Sequence, residues 1–216
     1  MLKAVIFDLD GTLTDSDRVH YQVFKEIFAP LGVALDPALY REKISGRQNA
    51  AVVADFFPKM SVAAGETFSA DKEAAFRTLA RDVLKPLPGL LDLLEQIKRQ
   101  GLFAAVVTNA PRENAAFMLE VLGLNAAFDP VILGDDLPRG KPDPLPYQTA
   151  LERLGIVASE AIAFEDSRPG ICSAVGAGIL TVGLMTTHAA AELTAAGAAA
   201  AVADFRDPYI QNILRA

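Results

Sequence analysis

Short apolar runs that end in polar turn residues limit what this chain can fold into. KAVIF (3–7) ends at Asp8, LFAAVV (102–107) at Thr108-Asn109, VIL (131–133) at Gly134-Asp135, and AIAF (161–164) at Glu165-Asp166. ILTVG (179–183) and AAAVAD (199–204) follow. Continuous apolar runs without alternation suit strands buried on both faces, as in parallel sheets.

Helix signals fill the gaps. Pro88-Gly89 precedes LLDLLEQIKRQ, and Gly101 stands where a glycine closes a helix. Asp143 with Pro144 reads as a cap and first-turn proline, and Gly155 ends the helix that contains ALERL. The Ala-rich stretch from Ala189 to Ala201 parses as a helix, Gly197 and a strand. Alternating strands and helices predict a doubly wound α/β fold, a Rossmann-like parallel sheet. Residues 16–82 break the alternation: VHYQVFKEIF, ALYREKI, AAVVADFF and KEAAFRTLARDVL all carry amphipathic helical patterns. The expected organisation is a catalytic core of residues 1–15 and 83–216 with a helical insertion at 16–82.

Composition removes several function classes. A net charge of -7 does not suit a protein that coats nucleic acid. One cysteine, Cys172, allows no internal disulfide and fits a reducing cytoplasm; it is expected to be a small core residue in the helix after Gly170. With only His20 and His188 beside it, a zinc site of the usual kind is not expected. No apolar run reaches the roughly 18 residues that span a bilayer. The expected partner is therefore a small molecule and neither nucleic acid nor membrane, with the protein a monomer or dimer.

In an open α/β sheet the carboxyl ends of all strands point to one edge. Four distant segments thus bring Asp8 and Asp10, Thr108 and Asn109, Lys141, and Glu165 and Asp166 to one crevice. Two like charges 4 Å apart repel by about 4 kcal/mol at an effective dielectric near 20. A divalent cation removes that penalty, and oxygen ligands without imidazole or thiolate favour magnesium. The remaining groups suit phosphoryl transfer. A carboxylate can form an aspartyl phosphate. Lys141 would neutralise phosphoryl oxygens and the Thr108 hydroxyl would donate to one. Asp10, two residues after Asp8, can protonate the leaving oxygen and then accept a proton from water. Taken singly, Thr108-Asn109 is an ordinary helix start, Lys141 a turn lysine and Glu165-Asp166 a helix cap.

Together these segments resemble the haloacid dehalogenase-like superfamily. Asp8-Leu9-Asp10-Gly11-Thr12 is similar to its first motif, Thr108-Asn109 to the second, Lys141-Pro142-Asp143-Pro144 to the third, and Glu165-Asp166-Ser167 with Gly170 to the fourth. The resemblance implies a mobile helical cap at 16–82. It also implies Asp8 as nucleophile and metal ligand, Asp10 as acid/base lending its backbone carbonyl to the metal, Asp166 as the other direct ligand, and Glu165 as a partner behind it. Asp10 favours phosphate esters over carbon–halogen bonds. The branch resembled holds phosphoglycolate phosphatases, sugar-phosphate phosphatases and β-phosphoglucomutase.

The leading expectation is a magnesium-dependent phosphatase of a small phosphorylated metabolite. A phosphomutase would share every core residue. A non-catalytic binding protein on the same fold would be marked by a lost nucleophile or metal acid, and none is lost. His20 matches a cap histidine of the mutase, and Arg47, beginning a cap helix, could hold a phosphate or carboxylate bidentately. Both, with Asn109, are candidate substrate-binding residues; Lys72 resembles a cap lysine of the mutase but is expected to be a solvated helix lysine.

Overall fold

The computed structural model describes residues 1–214. The chain runs through strand β1 (Ala4–Phe7), helices α1 (Asp17–Phe28), α2 (Pro37–Lys43), α3 (Asn49–Phe56), α4 (Val62–Ala80) and α5 (Leu90–Arg99), then β2 (Phe103–Thr108) and α6 (Arg112–Val121). It continues through β3 (Val131–Leu133), α7 (Leu145–Leu154), β4 (Ala161–Glu165), α8 (Arg168–Gly176), β5 (Leu180–Leu184), α9 (Ala190–Ala195), β6 (Ala200–Val202) and α10 (Pro208–Ile213).

The strands form one parallel sheet in the order β3-β2-β1-β4-β5-β6. Strand order therefore reverses beside β1, and the crevice of a doubly wound sheet opens at such a switch point. Phe7 is in register with Phe164, so Asp8 and Glu165 leave the sheet at the same level. This pairing creates the acidic site.

β1 is buried along its whole length because alternate residues feed two cores. Val5 and Phe7 pack with Leu90, Leu93, Ile97 and Met118 on one face. Ala4 and Ile6 pack with Tyr147, Ala150 and Ala174 on the other. Phe7 stacks on Phe164 with ring centroids 5.5 Å apart and meets Phe128 and Phe205 edge-on at 5.7 and 5.9 Å.

Helices α1 to α3 hold their own apolar cluster of Phe24, Phe28, Leu35, Tyr40, Ile44 and Val52, whereas Val23, Phe76 and Ala80 join the larger core under the sheet. The chain leaves and re-enters the α/β part at adjacent points: the Leu87 N–H donates to Leu13 O at 2.9 Å, and Thr14 bridges Pro86. α4 starts at Val62, ten residues before the KEAAF pattern, because the Ser61 hydroxyl caps it by accepting from the Ala64 N–H at 3.3 Å. Cys172 is exposed, against expectation. α8 turns Gly170, Ile171 and Ala174 inward, and the helical period puts Cys172 outside.

Phe7→Ala should lower unfolding free energy by about 3–5 kcal/mol. A urea titration would read this as a lower midpoint at unchanged slope; an unchanged midpoint would mean that the aromatic cluster does not hold the sheet.

Candidate active site

Asp8 leaves β1 buried, 6% exposed. The Lys141 ammonium, 7% exposed, reaches it from the loop before α7 and donates to Asp8 Oδ1 at 2.5 Å and to Glu165 Oε1 at 2.6 Å. Tyr147 donates its hydroxyl to the same Glu165 oxygen at 2.9 Å. Glu165 Oε2 accepts from the Asp166 N–H, the Ser167 N–H and the Ser167 hydroxyl. Glu165 is thus consumed by its neighbours and fixes Lys141 in place. Gly170 makes this possible, because a Cβ there would collide with the Glu165 carboxylate.

Asp166 follows on the same strand end. Its Oδ2 accepts from the Thr187 hydroxyl at 2.5 Å. Gly11, at φ +75°, passes so close that a Cβ would overlap the Asp166 carboxylate. The glycine of the first motif thus serves both the turn and the approach of the second acid.

Oxygens of Asp8, Glu165 and Asp166 all lie within 4.8 Å of one another. Three carboxylates face one ammonium, leaving two negative charges uncompensated when all are ionised. The titration behaviour follows. Burial raises Asp8 to about 8, with Glu165 and Asp10 adding to the shift against the opposing charge of Lys141. Burial, then the charges of Asp8 and Glu165, push Asp166 well above the carboxylate range. Lys141 is raised to about 12, because its two carboxylates outweigh its own burial. A divalent cation fits this deficit, and hard oxygen donors suit magnesium or a similar ion.

Asp10 has different surroundings. Its Oδ1 accepts from the Ser16 hydroxyl at 2.6 Å and lies 3.0 Å from His20 Nε2. Lys72 Nζ sits 2.9 Å from His20 Nδ1. An ammonium only donates, so Nδ1 accepts and the ring proton is on Nε2, directed at Asp10. Burial pushes Asp10 up, but the hydrogen bond and charge of His20, then Ser16, hold it below its usual value. His20 is also stacked on Phe76 at 3.9 Å. Lys72 is 3% exposed and bonded to Glu73 Oε1 at 2.8 Å, so its reading as a solvated lysine is overturned.

Asp8, Asp10, His20, Arg47, Thr108, Asn109, Lys141 and Asp166 line one cleft of about 770 Å³, between the strand ends and α1 to α4. Glu165 lies behind it, fully buried. Thr108 Oγ1 accepts from the Ala110 N–H at 2.9 Å, which leaves its own proton free to donate. Asn109 is tied to the Lys141 backbone in both directions, at 3.1 and 3.2 Å. Arg47 reaches the cleft wall, but its guanidinium bonds Asp55, Lys43 O and Ala51 O. Sequence reading missed Ser16, Tyr147, Thr187 and Glu73. Ser16 stands beside the first motif and was within reach, whereas the others become visible only through their partners.

A family model described as haloacid dehalogenase-like hydrolase matches residues 5–184. The chain is 35% identical over 196 residues to the validoxylamine A 7'-phosphate phosphatase of Streptomyces hygroscopicus subsp. limoneus, covering 91% of this chain and 92% of that protein. It is 30% identical to the phosphorylated carbohydrates phosphatase of Thermotoga maritima, covering 99% of both chains. Among solved structures, CbbY from Rhodobacter sphaeroides in complex with phosphate superposes with a TM-score of 0.83 at 29% identity, covering 96% of both chains.

The acids make metal-linked stability depend on pH. In metal-free protein the raised Asp8 pKa contributes stability that is fully present below the ordinary value of 3.8 and lost as pH rises toward about 8. Saturating magnesium should therefore raise Tm more at about pH 8 than at about pH 5. A metal-induced shift in Tm that is the same at both pH values would place the cation away from Asp8 and Asp166.

Proposed function

The chain belongs to the haloacid dehalogenase-like hydrolases, and from that membership we propose a magnesium-dependent phosphatase that cleaves the phosphate ester of a small metabolite, a sugar phosphate or phosphoglycolate, through an aspartyl phosphate on Asp8. One observation carries the reading. Asp8 Oδ1 is held by Lys141, while Oδ2 accepts no hydrogen bond among the described residues and the side chain lines the cleft beside Asp166. A carboxylate held by one oxygen and open at the other is suited to in-line attack.

The residues act in two steps. In the first, Asp8 Oδ2 bonds to phosphorus, the ester P–O bond breaks, and Asp10 gives the departing oxygen a proton. Asp10 is held ionised here, and the negative charge of a bound phosphate ester raises its proton affinity for that step. In the second, water attacks phosphorus, Asp10 takes its proton, and Asp8 leaves as the carboxylate. Lys141 neutralises the phosphoryl oxygens throughout, and the Thr108 hydroxyl donates a hydrogen bond to one of them. His20 fixes Asp10 through its Nε2 proton, and Lys72 fixes His20. Asp8 and Asp166 would hold the magnesium ion with the Asp10 backbone carbonyl, and Glu165 stands behind them. When bound, the ion supplies positive charge that balances the acids and the incoming phosphate.

Helices α1 to α4 form the cap in this reading, and residues 1–15 and 83–214 belong to the core. The apolar cluster within α1 to α3 and the adjacent chain crossings at Leu13 and Leu87 support rotation as a unit, with Val23, Phe76 and Ala80 forming the face that packs on the core. Closure would exclude water from the transferring group.

Asp8→Asn keeps the side chain's size and leaves Lys141 paired with Glu165. Phosphate release from acetyl phosphate in the presence of magnesium should fall about 10³-fold or more while Tm is retained. Turnover close to wild type in a folded Asp8→Asn protein would reject the covalent route.

A further inference from the structure

The cleft extends well past the phosphoryl end, and its charge distribution bears on what the leaving group can be. Besides Lys141, its lining contains two basic residues that are always charged in ordinary surroundings, Arg47 and Lys72. Both are already committed. Arg47 Nη1 donates to Asp55 Oδ2 at 2.8 Å and to Lys43 O at 2.7 Å, and its Nη2 to Ala51 O at 3.4 Å. Lys72 is buried between Glu73, His20 and the Phe24 ring. Glu73 is balanced by Lys72, which leaves three lining carboxylates outside the acidic cluster with no ion-pair partner among the described residues: Asp17, Glu66 and Asp135. The Glu66 side chain enters no hydrogen bond or ion pair among the described residues, and the Asp135 carboxylate accepts only from the Gln48 amide, at 3.0 Å.

A second phosphate or a carboxylate on the substrate would meet this surplus of acids with no free cation among the described lining residues to receive it, and like charges brought together are rejected. A hydroxyl-rich neutral group meets the reverse. Its O–H groups can donate to Glu66 and Asp135, and its C–H faces can lie on the apolar wall of Val53, Phe57 and Met60. The volume of about 770 Å³ is also far more than a two-carbon acid fills.

We infer that the substrate carries a single phosphate on an uncharged, polyhydroxylated leaving group, and that phosphoglycolate and sugar bisphosphates are poor substrates. This rests on the phosphatase reading of the same site. It also weighs against a phosphomutase cycle, which must pass through a bisphosphate. Asp55 is the structural reason for part of the selectivity, since it occupies the guanidinium that would otherwise serve a distal anion.

The test compares matched pairs in the presence of magnesium, each measured for kcat/KM and as a competitor of acetyl phosphate. Hydroxyethyl phosphate is set against phosphoglycolate, and fructose 6-phosphate against fructose 1,6-bisphosphate. The neutral member should be favoured by about tenfold or more in both pairs. Asp55→Asn, which removes the charge that balances Arg47, should narrow that preference several-fold while leaving acetyl phosphate hydrolysis unchanged. If the anionic member is bound and turned over as well as the neutral one while acetyl phosphate is hydrolysed, the inference fails and the phosphatase reading stands. If the wild-type protein releases no phosphate from acetyl phosphate or any pair member, the phosphatase reading itself fails and the inference with it.

Discussion

Three buried carboxylates lie within 4.8 Å of one another, and one lysine pairs with two of them. The Lys141 ammonium bridges Asp8 and Glu165 from a loop far away in sequence, and much of the local architecture protects that bridge. Tyr147 also donates to the Glu165 oxygen that Lys141 holds, Asp166 and Ser167 satisfy the other, Gly170 admits its carboxylate, and Gly11 admits Asp166. Removing Lys141 would leave an uncompensated buried acid cluster, which is the costly way to break an ion pair. The same imbalance suits a divalent cation, which would offset the surplus negative charge at the cleft.

Asp8 and Asp10 lie two residues apart yet have opposite surroundings. Asp8, buried with like charges, is raised to about 8, whereas Asp10, hydrogen-bonded by His20 and Ser16, is held low. Environments that push two neighbouring acids apart allow separate roles in one reaction. The divergence depends on helices outside the α/β part. His20 comes from α1 and Lys72 from α4, and Glu73 ties Lys72 to both Asn49 and Asn114 of α6. Helices α1 to α4 therefore set the surroundings of Asp10 as well as the walls of the cleft.

Much of this was legible in the sequence, for a physical reason. Buried parallel strands are continuous apolar runs, and their carboxyl ends must share one edge, so Asp8, Thr108, Glu165 and Asp166 could be brought together before any coordinates. The ends of β1 to β6 fall within a residue or two of the apolar runs. Side chains whose meaning depends on a partner were not legible. Lys72 lies on a helix with a mixed face, where lysine normally reaches water, and its burial follows only from His20 and Glu73 packed around it. Arg47 lines the cleft, but nothing in its neighbourhood announced that Asp55, eight residues on, would take its guanidinium. Cys172 failed in the other direction, because one helical step separates it from buried Ile171.

The central claim is that Asp8 becomes covalently phosphorylated. Mixing the enzyme with excess acetyl phosphate and magnesium, quenching with acid and reducing with borohydride converts an acyl phosphate into an alcohol. Peptide mass spectrometry should then find homoserine at position 8 and unmodified Asp10 and Asp166. Quenched enzyme that turns substrate over but yields reduced carboxylate at another position, or at none across the time course, would contradict the account.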